Sequence, residues 1–408
     1  MNLPTKTNSR TLKPVHPFPA RMVPSMLWRK IGRASKPLRI LDPMLGSGTT
    51  AVVSRLRGHH ALGFDSDPLA LLIAGVWSAD IDPERVRRRA KRVLDRATAA
   101  YSSLRLFDAY PEEADEETRE FIRYWFDSTN RRQLATLARR IRRVKNVTER
   151  SFLWCAFSRL IITKTAGASL ALDVSHSRPH KAYQSAPVRP FEKYLASVEK
   201  VLRGAPFGLN NDMPKASIQG GDARALPLRS STIDLVITSP PYLNAIDYLR
   251  GHKMSLVWMG YSLRELRNLR SDNIGTERAN LDLIDQYDYV LKAISRMGPT
   301  GQLASRIRGM LARYVFDMDQ VMAEIARVLK RTGAAVVVVG DSSIRGIFVR
   351  NSRALSYLGR RNGLVLRSMR RRPLEVNRRY LPPPQHQRSG IRLQSRMREE
   401  VILTFEKH

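Results

Sequence analysis

The chain has 408 residues, of which 43% are hydrophobic, which is enough for a globular core and an accessory domain. Its formal net charge of +33 favours a polyanionic partner such as nucleic acid. A single cysteine excludes a disulfide framework and a cysteine-based zinc site, and no apolar run is long enough to span a bilayer.

The N-terminus is polar, basic and free of acidic residues over its first dozen positions. A candidate cofactor segment begins near Val15, which leaves little room for a cleaved targeting peptide. We therefore expect residues 1–13 to form a short disordered arm.

A cofactor-binding turn is predicted at residues 38–50, which read Leu-Arg-Ile-Leu-Asp-Pro-Met-Leu-Gly-Ser-Gly-Thr-Thr. A short apolar strand leads into a glycine turn and then into a helical pattern. Glycine lets the backbone approach a ligand, and the N–H groups of a helix N-terminus face it. The next strand, at residues 60–64, ends at Asp65, where an acid can accept hydrogen bonds from ribose hydroxyls.

Three cofactors compete for this turn. A mononucleotide P-loop needs a lysine after its spacer, and none is present. A dinucleotide fits residues 46–51, which match G-x-G-x-x-A. S-adenosylmethionine carries cationic ammonium and sulfonium groups, which suit Asp42, whereas the same acid would repel a pyrophosphate. The position of Asp42 favours S-adenosylmethionine.

Residues 78–215 predict a mostly helical and basic insertion. Its arginine-rich helices are candidates for phosphate contacts, with solvated surface or a general arginine bias as the alternative. Residues 169–191 form an irregular loop whose candidate DNA contacts are Arg178, His180 and Lys181, although a plain connecting loop is an equal alternative. The two nearby histidines lack further metal ligands. Cys155 lies in an apolar helical run and is interpreted as core packing.

The strand predicted at residues 232–237 ends in Thr-Ser-Pro-Pro-Tyr. Proline lacks an N–H group and holds the preceding residue extended, so Ser239 and Pro240 present their acceptors outward. A hydroxyl, two carbonyls and the ring of Tyr242 suit the grip of a flat base that carries an amino group. An ordinary exit from a strand is the alternative.

The remainder of the chain continues an α/β pattern. Residues 247–258 predict an amphipathic helix that is a candidate wall of the target pocket, and residues 262–313 form a polar stretch that is a candidate lid or second DNA contact. A second helix is predicted at residues 315–329, followed by a buried strand at 334–340 that is typical of a parallel sheet. Arg378 and Arg379 lie in a basic loop and are further candidate nucleic-acid contacts. Residues 400–405 predict an edge or hairpin strand.

Four motifs occur in a compatible order, at residues 15–21, 42–50, 221–224 and 239–242. With them the chain resembles the amino-methyltransferases of DNA, which methylate N4 of cytosine or N6 of adenine. The resemblance implies a Rossmann-like class I methyltransferase fold with a mostly parallel seven-stranded sheet. The methyltransferase domain would comprise residues 14–77 and 216–408, split by the helical insertion.

The predicted site has a cofactor half and a catalytic half, with no metal. The resemblance adds the 15–21 segment at the methionine end of the cofactor and Asp222 at its adenine. The cofactor residues are His16, Pro17, Phe18, Asp42, Pro43, Gly46, Ser47, Gly48, Thr49, Asp65 and Asp222. The catalytic residues are Ser239, Pro240, Pro241 and Tyr242.

The catalytic motif predicts methyl transfer to an exocyclic amine of a flipped base, with Tyr242 stacked on that base. Methylation at cytosine C5 needs a cysteine nucleophile, and Cys155 is unsuited. Serine at the first motif position resembles the cytosine-N4 enzymes more than the adenine-N6 enzymes, so N4 of cytosine is the first expectation.

The expected partner is double-stranded DNA, with a cognate restriction endonuclease as a second partner and no membrane. The expected location is cytoplasmic, with the nucleoid. The insertion precedes the usual place of a target-recognition segment, so the resemblance assigns it no role. Two alternatives stay open: a methyltransferase for structured RNA, and a nucleic-acid-binding protein with a decayed or dinucleotide-type Rossmann domain.

Overall fold

The structure is a computed structural model that describes residues 12–19, 21–32, 36–209, 212–241, 243, 247–275, 279–374 and 399–408. Within these ranges the strands are β1 (Arg39–Asp42), β2 (His60–Asp65), β3 (Ala171–Leu172), β4 (His180–Lys181), β5 (Ala216–Gly220), β6 (Ile233–Thr238), β7 (Leu329–Gly340), β8 (Ser342–Ile344), β9 (Ile347–Val349), β10 (Leu364–Pro373) and β11 (Glu399–Lys407).

The helices of the described residues are α1 (Pro24–Lys30), α2 (Thr49–Leu56), α3 (Pro68–Trp77), α4 (Pro83–Tyr101), α5 (Glu116–Trp125), α6 (Ser128–Arg142), α7 (Val147–Ile161), α8 (Pro190–Gly204), α9 (Tyr248–Leu256), α10 (Leu263–Asp272), α11 (Asp282–Gln286), α12 (Asp288–Met297), α13 (Ser305–Val328) and α14 (Asn351–Arg361). Asp82 caps α4 by accepting from the N–H groups of Glu84 and Arg85, and Pro83 occupies the first turn, where its missing N–H group costs no helical hydrogen bond.

Seven strands form one sheet in the order β10-β11-β7-β6-β1-β2-β5. β1 pairs in parallel with both β2 and β6, and β11 alone runs antiparallel to its neighbours β7 and β10. The predicted class I methyltransferase fold, with a mostly parallel seven-stranded sheet, is confirmed. The C-terminal strand does form a hairpin with β10, but it lies inside the sheet rather than at its edge.

The chain reverses its direction of travel across the sheet between β1 and β6. From β1 it proceeds outward through β2 and β5, and it then returns to the other side of β1 to form β6 and β7. Connections leave such a reversal point in opposite directions, so a crevice opens outside the carboxyl ends of β1 and β6. The two predicted motifs follow these two strand ends.

Successive side chains of each strand point to opposite faces of the sheet, so the strands contribute to two cores, one on each face. Ile40, Ile237 and Val338 face a core shared with α1–α3 and the insertion helices. Their neighbours in sequence, such as Leu41 and Val236, face a second core covered by α11–α14. Because both faces of β7 are buried, its sequence is a near-continuous apolar run.

The insertion packs directly on the sheet core. Val86, Leu153 and Tyr194, which lie on α4, α7 and α8, belong to the same buried cluster as Ile40 of β1. The indole N–H of Trp77 in α3 donates to the carbonyl of Gly204 at the end of α8. The helices thus extend the first core instead of forming a separate one.

Arg55, near the end of α2, holds both ends of the insertion. Its side chain is 1% exposed and forms an ion pair with Asp80 at 2.8 Å. The guanidinium also donates to the carbonyls of Ser78 and Pro214, and it stacks 3.9 Å from the centroid of the Phe207 ring. One buried cation therefore joins the entry and exit of the insertion to α2.

We expect Arg55→Met to lower the free energy of unfolding by about 3 kcal/mol, because it removes the guanidinium while keeping an apolar stem on Phe207. This is the lower end of the cost of breaking a buried pair, since Asp80 is 20% exposed and can regain water. Urea unfolding measures the change. Arg88→Met, on the exposed face of α4, is the matched control and should stay within about 0.5 kcal/mol. Equal effects of the two changes would refute the role of Arg55.

Candidate active site

A cavity of about 840 Å³ lies at the reversal point of the sheet. Asp42 at the end of β1, Asp65 at the end of β2, Asp222 after β5 and Ser239 after β6 all line it. Its volume falls in the upper part of the range of about 300–1,000 Å³ that is typical of ligand pockets. The sheet topology thus brings the two predicted halves of the site to one cavity.

The conformation of the glycine turn between β1 and α2 depends on two glycines whose backbones lie close to neighbouring groups. Gly48 caps α2 with φ +84°, and a Cβ there would lie 2.7 Å from the Cβ of Ala74 in α3. Gly46 has φ +52° and donates its N–H to Asp65 at 2.7 Å. Both backbones need the left-handed region that glycine enters without strain. Gly48 serves the packing of α2 on α3, and Gly46 lines the cavity.

Asp42 is buried at the base of the cavity, with 1% exposure. Its carboxyl group accepts hydrogen bonds from the hydroxyl of Thr50 at 2.8 Å and from the N–H of Met44 at 3.2 Å. Burial raises the pKa of Asp42 to about 7, although these hydrogen bonds oppose the rise. A cationic ligand group beside Asp42 would favour the ionised carboxylate.

Asp65 joins the end of β2 to the glycine turn. One carboxyl oxygen accepts from Gly46 and the other accepts from the N–H of Asp67 at 2.9 Å. Burial, followed by the charge of Asp67, raises the pKa of Asp65 to about 6. Asp67 itself caps α3 by accepting from Leu69, and it pairs with the buried His252 of α9.

Asp222 is held by an arginine that the sequence analysis assigned no role. Arg224 donates to both carboxyl oxygens of Asp222, and its other amino group forms an ion pair with the buried Asp317 of α13 at 2.9 Å. Burial would raise the pKa of Asp222, but the hydrogen bonds and charge of Arg224 outweigh it and hold that pKa below its usual range. Asp222 is therefore an anchored carboxylate.

The N-terminal segment divides into a buried part and a cavity part. Phe18 lines the cavity and stacks on Tyr248 of α9, with ring centroids 5.4 Å apart. His16 is turned into the core, where its Nε2 is 2.9 Å from the hydroxyl of Ser158 in α7. Burial, followed by the charge of Arg159, lowers the pKa of His16 to about 3, so the ring is neutral.

The catalytic motif brings Ser239 and Pro241 to the cavity. The hydroxyl of Tyr314 in α13 donates to the carbonyl of Pro241 at 3.1 Å, which fixes this end of the loop. Pro240 is buried and is not among the lining residues. Tyr242, together with residues 244–246, lies outside the described residues.

A segment at residues 263–275, here called the roof segment, covers the cavity. Asn273 accepts from the hydroxyl of Ser66, and the carbonyl of Asp272 accepts from Arg224, each at 2.8 Å. Two ion pairs hold α10 as well: Asp247–Arg270 and Glu117–Arg267. The lining residues of the roof segment are Arg267, Leu269, Arg270, Ser271, Asp272, Asn273, Ile274 and Gly275.

The predicted DNA contacts of the insertion lie beside the cavity rather than in it. His180 and Lys181 form the exposed strand β4, and the ammonium of Lys181 lies 4.7 Å from the centroid of the Tyr124 ring. The preceding loop reaches α9, where the hydroxyl of Ser177 donates to the carbonyl of Tyr248 at 3.4 Å. Arg178 belongs to the same loop. Arg378 and Arg379 lie outside the described residues.

Most of the predicted cofactor residues line the cavity, and His16, Pro17 and Gly48 are the exceptions. His16 is directed to Ser158 in the core, and Gly48 packs against Ala74 of α3. The lining residues predicted from sequence are Phe18, Asp42, Pro43, Gly46, Ser47, Thr49, Asp65, Asp222, Ser239 and Pro241.

The sequence did not indicate the roles of Arg224 and Tyr314. Arg224 had a signal, since it stands two residues after Asp222 in a turn, whereas Tyr314 arrives through a tertiary contact. The predicted helix at residues 247–258, which contains Tyr248, and the candidate lid at residues 262–313, which contains the roof segment, both contribute lining residues.

Cys155 is fully buried in α7, and burial raises the pKa of its thiol to about 12. Over the described ranges, no group of three or more histidine, cysteine, aspartate or glutamate side chains is placed to hold a metal ion. Among the helices that the structure describes, none has the length and apolar character needed to cross a bilayer.

Sequence relatives point to one class of enzyme. The chain is 24% identical over 280 residues to the Type II methyltransferase M.BsoBI of Geobacillus stearothermophilus, covering 62% of this chain and 53% of that protein. It is 23% identical over 371 residues to the Type II methyltransferase M.MvaI of Kocuria varians, covering 82% and 78%. The relatives are Type II methyltransferases. The match with M.BsoBI spans only about half of the length of that relative, and no protein-family model matches the chain.

Solved structures that align with the chain include a geranyl diphosphate methyltransferase in complex with GPP and sinefungin. It has a TM-score of 0.35 and 9% identity, and the alignment covers 94% of this chain and 77% of that one. A SAM-dependent methyltransferase from Methanosarcina mazei has a TM-score of 0.32 and 8% identity, with coverage of 92% and 94%. These scores are low, and the strand order identifies the fold.

We expect Arg224→Gln to loosen the roof segment, because it removes the donor to Asp272 and leaves the buried Asp317 with a weaker partner. Amide hydrogen exchange at residues 268–275 should become at least about tenfold faster, which corresponds to the loss of about 1.4 kcal/mol of local stability. Arg306→Gln, an exposed change in the first turn of α13, is the control. Unchanged exchange in Arg224→Gln would show that the roof segment is held without this arginine.

Proposed function

We propose that this chain is a Type II DNA methyltransferase that uses S-adenosylmethionine to methylate the exocyclic amine of a flipped base, N4 of cytosine in the first place. Support comes from the Type II methyltransferase relatives, the four sequence motifs and the strongly basic composition. The substrate is double-stranded DNA, so the enzyme works in the cytoplasm with the nucleoid. A restriction endonuclease of the same specificity is its proposed functional partner.

One observation carries the proposal: the acidic glycine turn and the Ser-Pro-Pro segment face the same cavity. Asp42 and Ser239 follow adjacent parallel strands, and the cavity between them is lined from both sides. A site for a small cofactor alone would need only the turns after β1, β2 and β5. The segment after β6 adds a second set of polar groups at the place where an acceptor must meet a methyl donor.

The residues of the cavity fit S-adenosylmethionine. Asp42 offers a buried carboxylate for the cationic methionine end, which Phe18 and Met22 also border. Asp65, fixed by two backbone donors, is placed for the ribose hydroxyls. The anchored carboxylate of Asp222 is placed for the amino group of the adenine. When bound, S-adenosylmethionine supplies a methyl group made electrophilic by the sulfonium.

The catalytic motif prepares the acceptor. An exocyclic amine is a poor nucleophile because its lone pair is delocalised into the ring. The Ser239 hydroxyl, which lines the cavity, accepts a hydrogen bond from the amine. The Pro240 carbonyl is the second acceptor that the family resemblance implies, and together the two draw the amine toward tetrahedral geometry. The same acceptors stabilise the positive charge that develops on nitrogen. Tyr314, which fixes Pro241, keeps this loop rigid, and Tyr242 stacks on the flipped base.

The choice of N4 of cytosine over N6 of adenine rests on Ser239 at the first motif position. Adenine-N6 methylation is the alternative product and uses the same acceptors. The buried thiol of Cys155 lies in α7 and is turned into the core, which disfavours C5 chemistry.

We expect the affinity for S-adenosylmethionine to rise as pH rises from about 5 to about 8. The pKa values of Asp42 and Asp65 are raised to about 7 and about 6, so both groups hold protons that a cationic ligand must displace at low pH. In the ligand-free protein the same groups lower stability as pH rises through this window. Isothermal titration calorimetry across the range measures the affinity.

Two comparisons control the pH prediction. Asp42→Asn should weaken binding and remove the upper part of the pH dependence. Adenosine, which lacks the ammonium and the sulfonium, should show less dependence on pH than S-adenosylmethionine. An affinity that is flat or falls with pH in the unchanged protein would contradict the role of these carboxylates.

The decisive experiment expresses the chain in a host that lacks DNA methylation and analyses the nucleosides of genomic DNA by mass spectrometry. N4-methylcytosine is the expected product. N6-methyladenine would correct the base. The absence of both marks, together with failure of labelled S-adenosylmethionine to bind, would refute the proposal.

We expect Ser239→Ala to slow methyl transfer by about 10²–10³-fold, because one of the groups that stabilise the developing charge is lost. Its affinity for S-adenosylmethionine should stay within about twofold. Single-turnover kinetics and calorimetry measure the two quantities. Ser295→Ala, an exposed change on α12, is the control. Equal rates in Ser239→Ala and the control would remove Ser239 from the mechanism.

A further inference from the structure

Four basic side chains gather at the rim of the cavity, and we refer to them as the cationic cluster: Arg250 and Lys253 on α9, and Arg267 and Arg270 on α10. Arg267 and Arg270 line the cavity itself. The side chains of Arg250, Arg267 and Arg270 are 49%, 60% and 48% exposed, so all three are accessible to solvent at the rim. Arg267 and Arg270 belong to the stretch at residues 262–313 that the sequence predicts as a candidate lid or second DNA contact, and the structure brings Arg250 and Lys253 beside them.

Shared neighbours show that the four charges are close together. One oxygen of Asp247 lies 2.7 Å from Nε of Arg270 and 3.7 Å from Nε of Arg250. Lys253 and Arg267 are placed over one face of α5. The Lys253 ammonium lies 5.1 Å from the centroid of the Phe121 ring, and Arg267 pairs with Glu117 one turn earlier.

The charge of the cluster is not balanced by its acidic partners. Asp247 and Glu117 pair with the cluster's arginines, which leaves an excess of two positive charges among these six groups. Burial lowers the pKa of Lys253, and the charges of Arg270, Arg250 and Arg267 lower it further against the opposing effect of Asp247. An anion bound here would relieve this repulsion.

We infer that the cationic cluster binds the backbone phosphates that flank the target nucleotide; this inference rests on the proposed function. A base enters the cavity only when its sugar and phosphates remain at the rim. Guanidinium and ammonium groups are the usual phosphate donors, and they fix the position of a strand without reading its sequence. The cationic cluster lies at the rim of the cavity, where the DNA strand must pass when its base is inside.

The carboxylate of the methyl donor is the competing anion for the same cations. Arg250 and Lys253 distinguish the two, because neither is among the residues that line the cavity. A phosphate at the rim can reach all four groups, whereas a carboxylate deep in the cavity would meet only Arg267 and Arg270. The cluster is therefore assigned to the nucleic acid.

The test is the salt dependence of binding to a fluorescent 20-base-pair DNA duplex, measured by anisotropy with the full chain. Each lost phosphate contact lowers the slope of log affinity against log salt concentration by about 0.9. The double variant Arg250→Gln/Lys253→Gln, at the two cluster positions that do not line the cavity, should lower the slope by about 1.8. Arg353→Gln, which removes an exposed charge from α14 beside β10 and β11, should leave it unchanged.

A variant with the opposite expected effect on DNA affinity strengthens the test. Asp247 caps α9 by accepting from Arg250, and asparagine caps equally well, so Asp247→Asn removes a negative charge while keeping the cap. We expect this variant to bind DNA more tightly. Binding of labelled S-adenosylmethionine, unchanged in the double variant, reports that the cavity is intact.

The outcomes separate the two claims. A slope that does not change in the double variant overturns the inference, and if the unchanged protein still methylates DNA, the proposed function stands. Loss of S-adenosylmethionine binding with an unchanged slope assigns the cluster to the methyl donor and also overturns the inference. A reduced slope in a protein that methylates no DNA refutes the proposed function and leaves the phosphate contact in place.

Discussion

The parallel pairing of β1 with β6 is the constraint on which the site depends. These strands are neighbours in space but are separated by almost two hundred residues in sequence. Because their connections leave in opposite directions, nothing from either connection fills the space above their carboxyl ends. The cavity, the buried Asp42 and the Ser-Pro-Pro segment all follow from that arrangement. A one-residue shift in this pairing would change which residues at the two strand ends face each other across the pairing and which of the two cores they enter.

The parts of the site that could be predicted from sequence are those with a local physical signature. The glycine turn requires positive φ at Gly46 and Gly48, and the proline pair forces an extended exit from β6. Such features can be recognised from a few consecutive residues. The buried strand β7 was also evident from its run of valines, although its helix α13 begins ten residues earlier than predicted.

The parts that could not be predicted depend on contacts between distant residues. Tyr314 reaches Pro241 across 73 positions, and Arg224 reaches Asp317 across 93. Nothing in the local sequence indicates either of these distant partners. The same reason applies to His16, which the motif placed at the cofactor and the fold directs toward α7. The inner position of β11 likewise follows from pairing on both sides, which a single apolar run does not reveal.

The bond between His16 and Ser158 has a consequence for how the protein can be modified. It ties the segment that borders the cofactor to a helix of the insertion, and the neutral ring has no water to replace that partner. Arg159, next to Ser158, donates to the carbonyl of Val15 and repeats the connection. The insertion is therefore not a modular part that could be exchanged between relatives to change specificity. A graft that omits α7 would unseat the N-terminal segment as well, so any transferable unit must carry both.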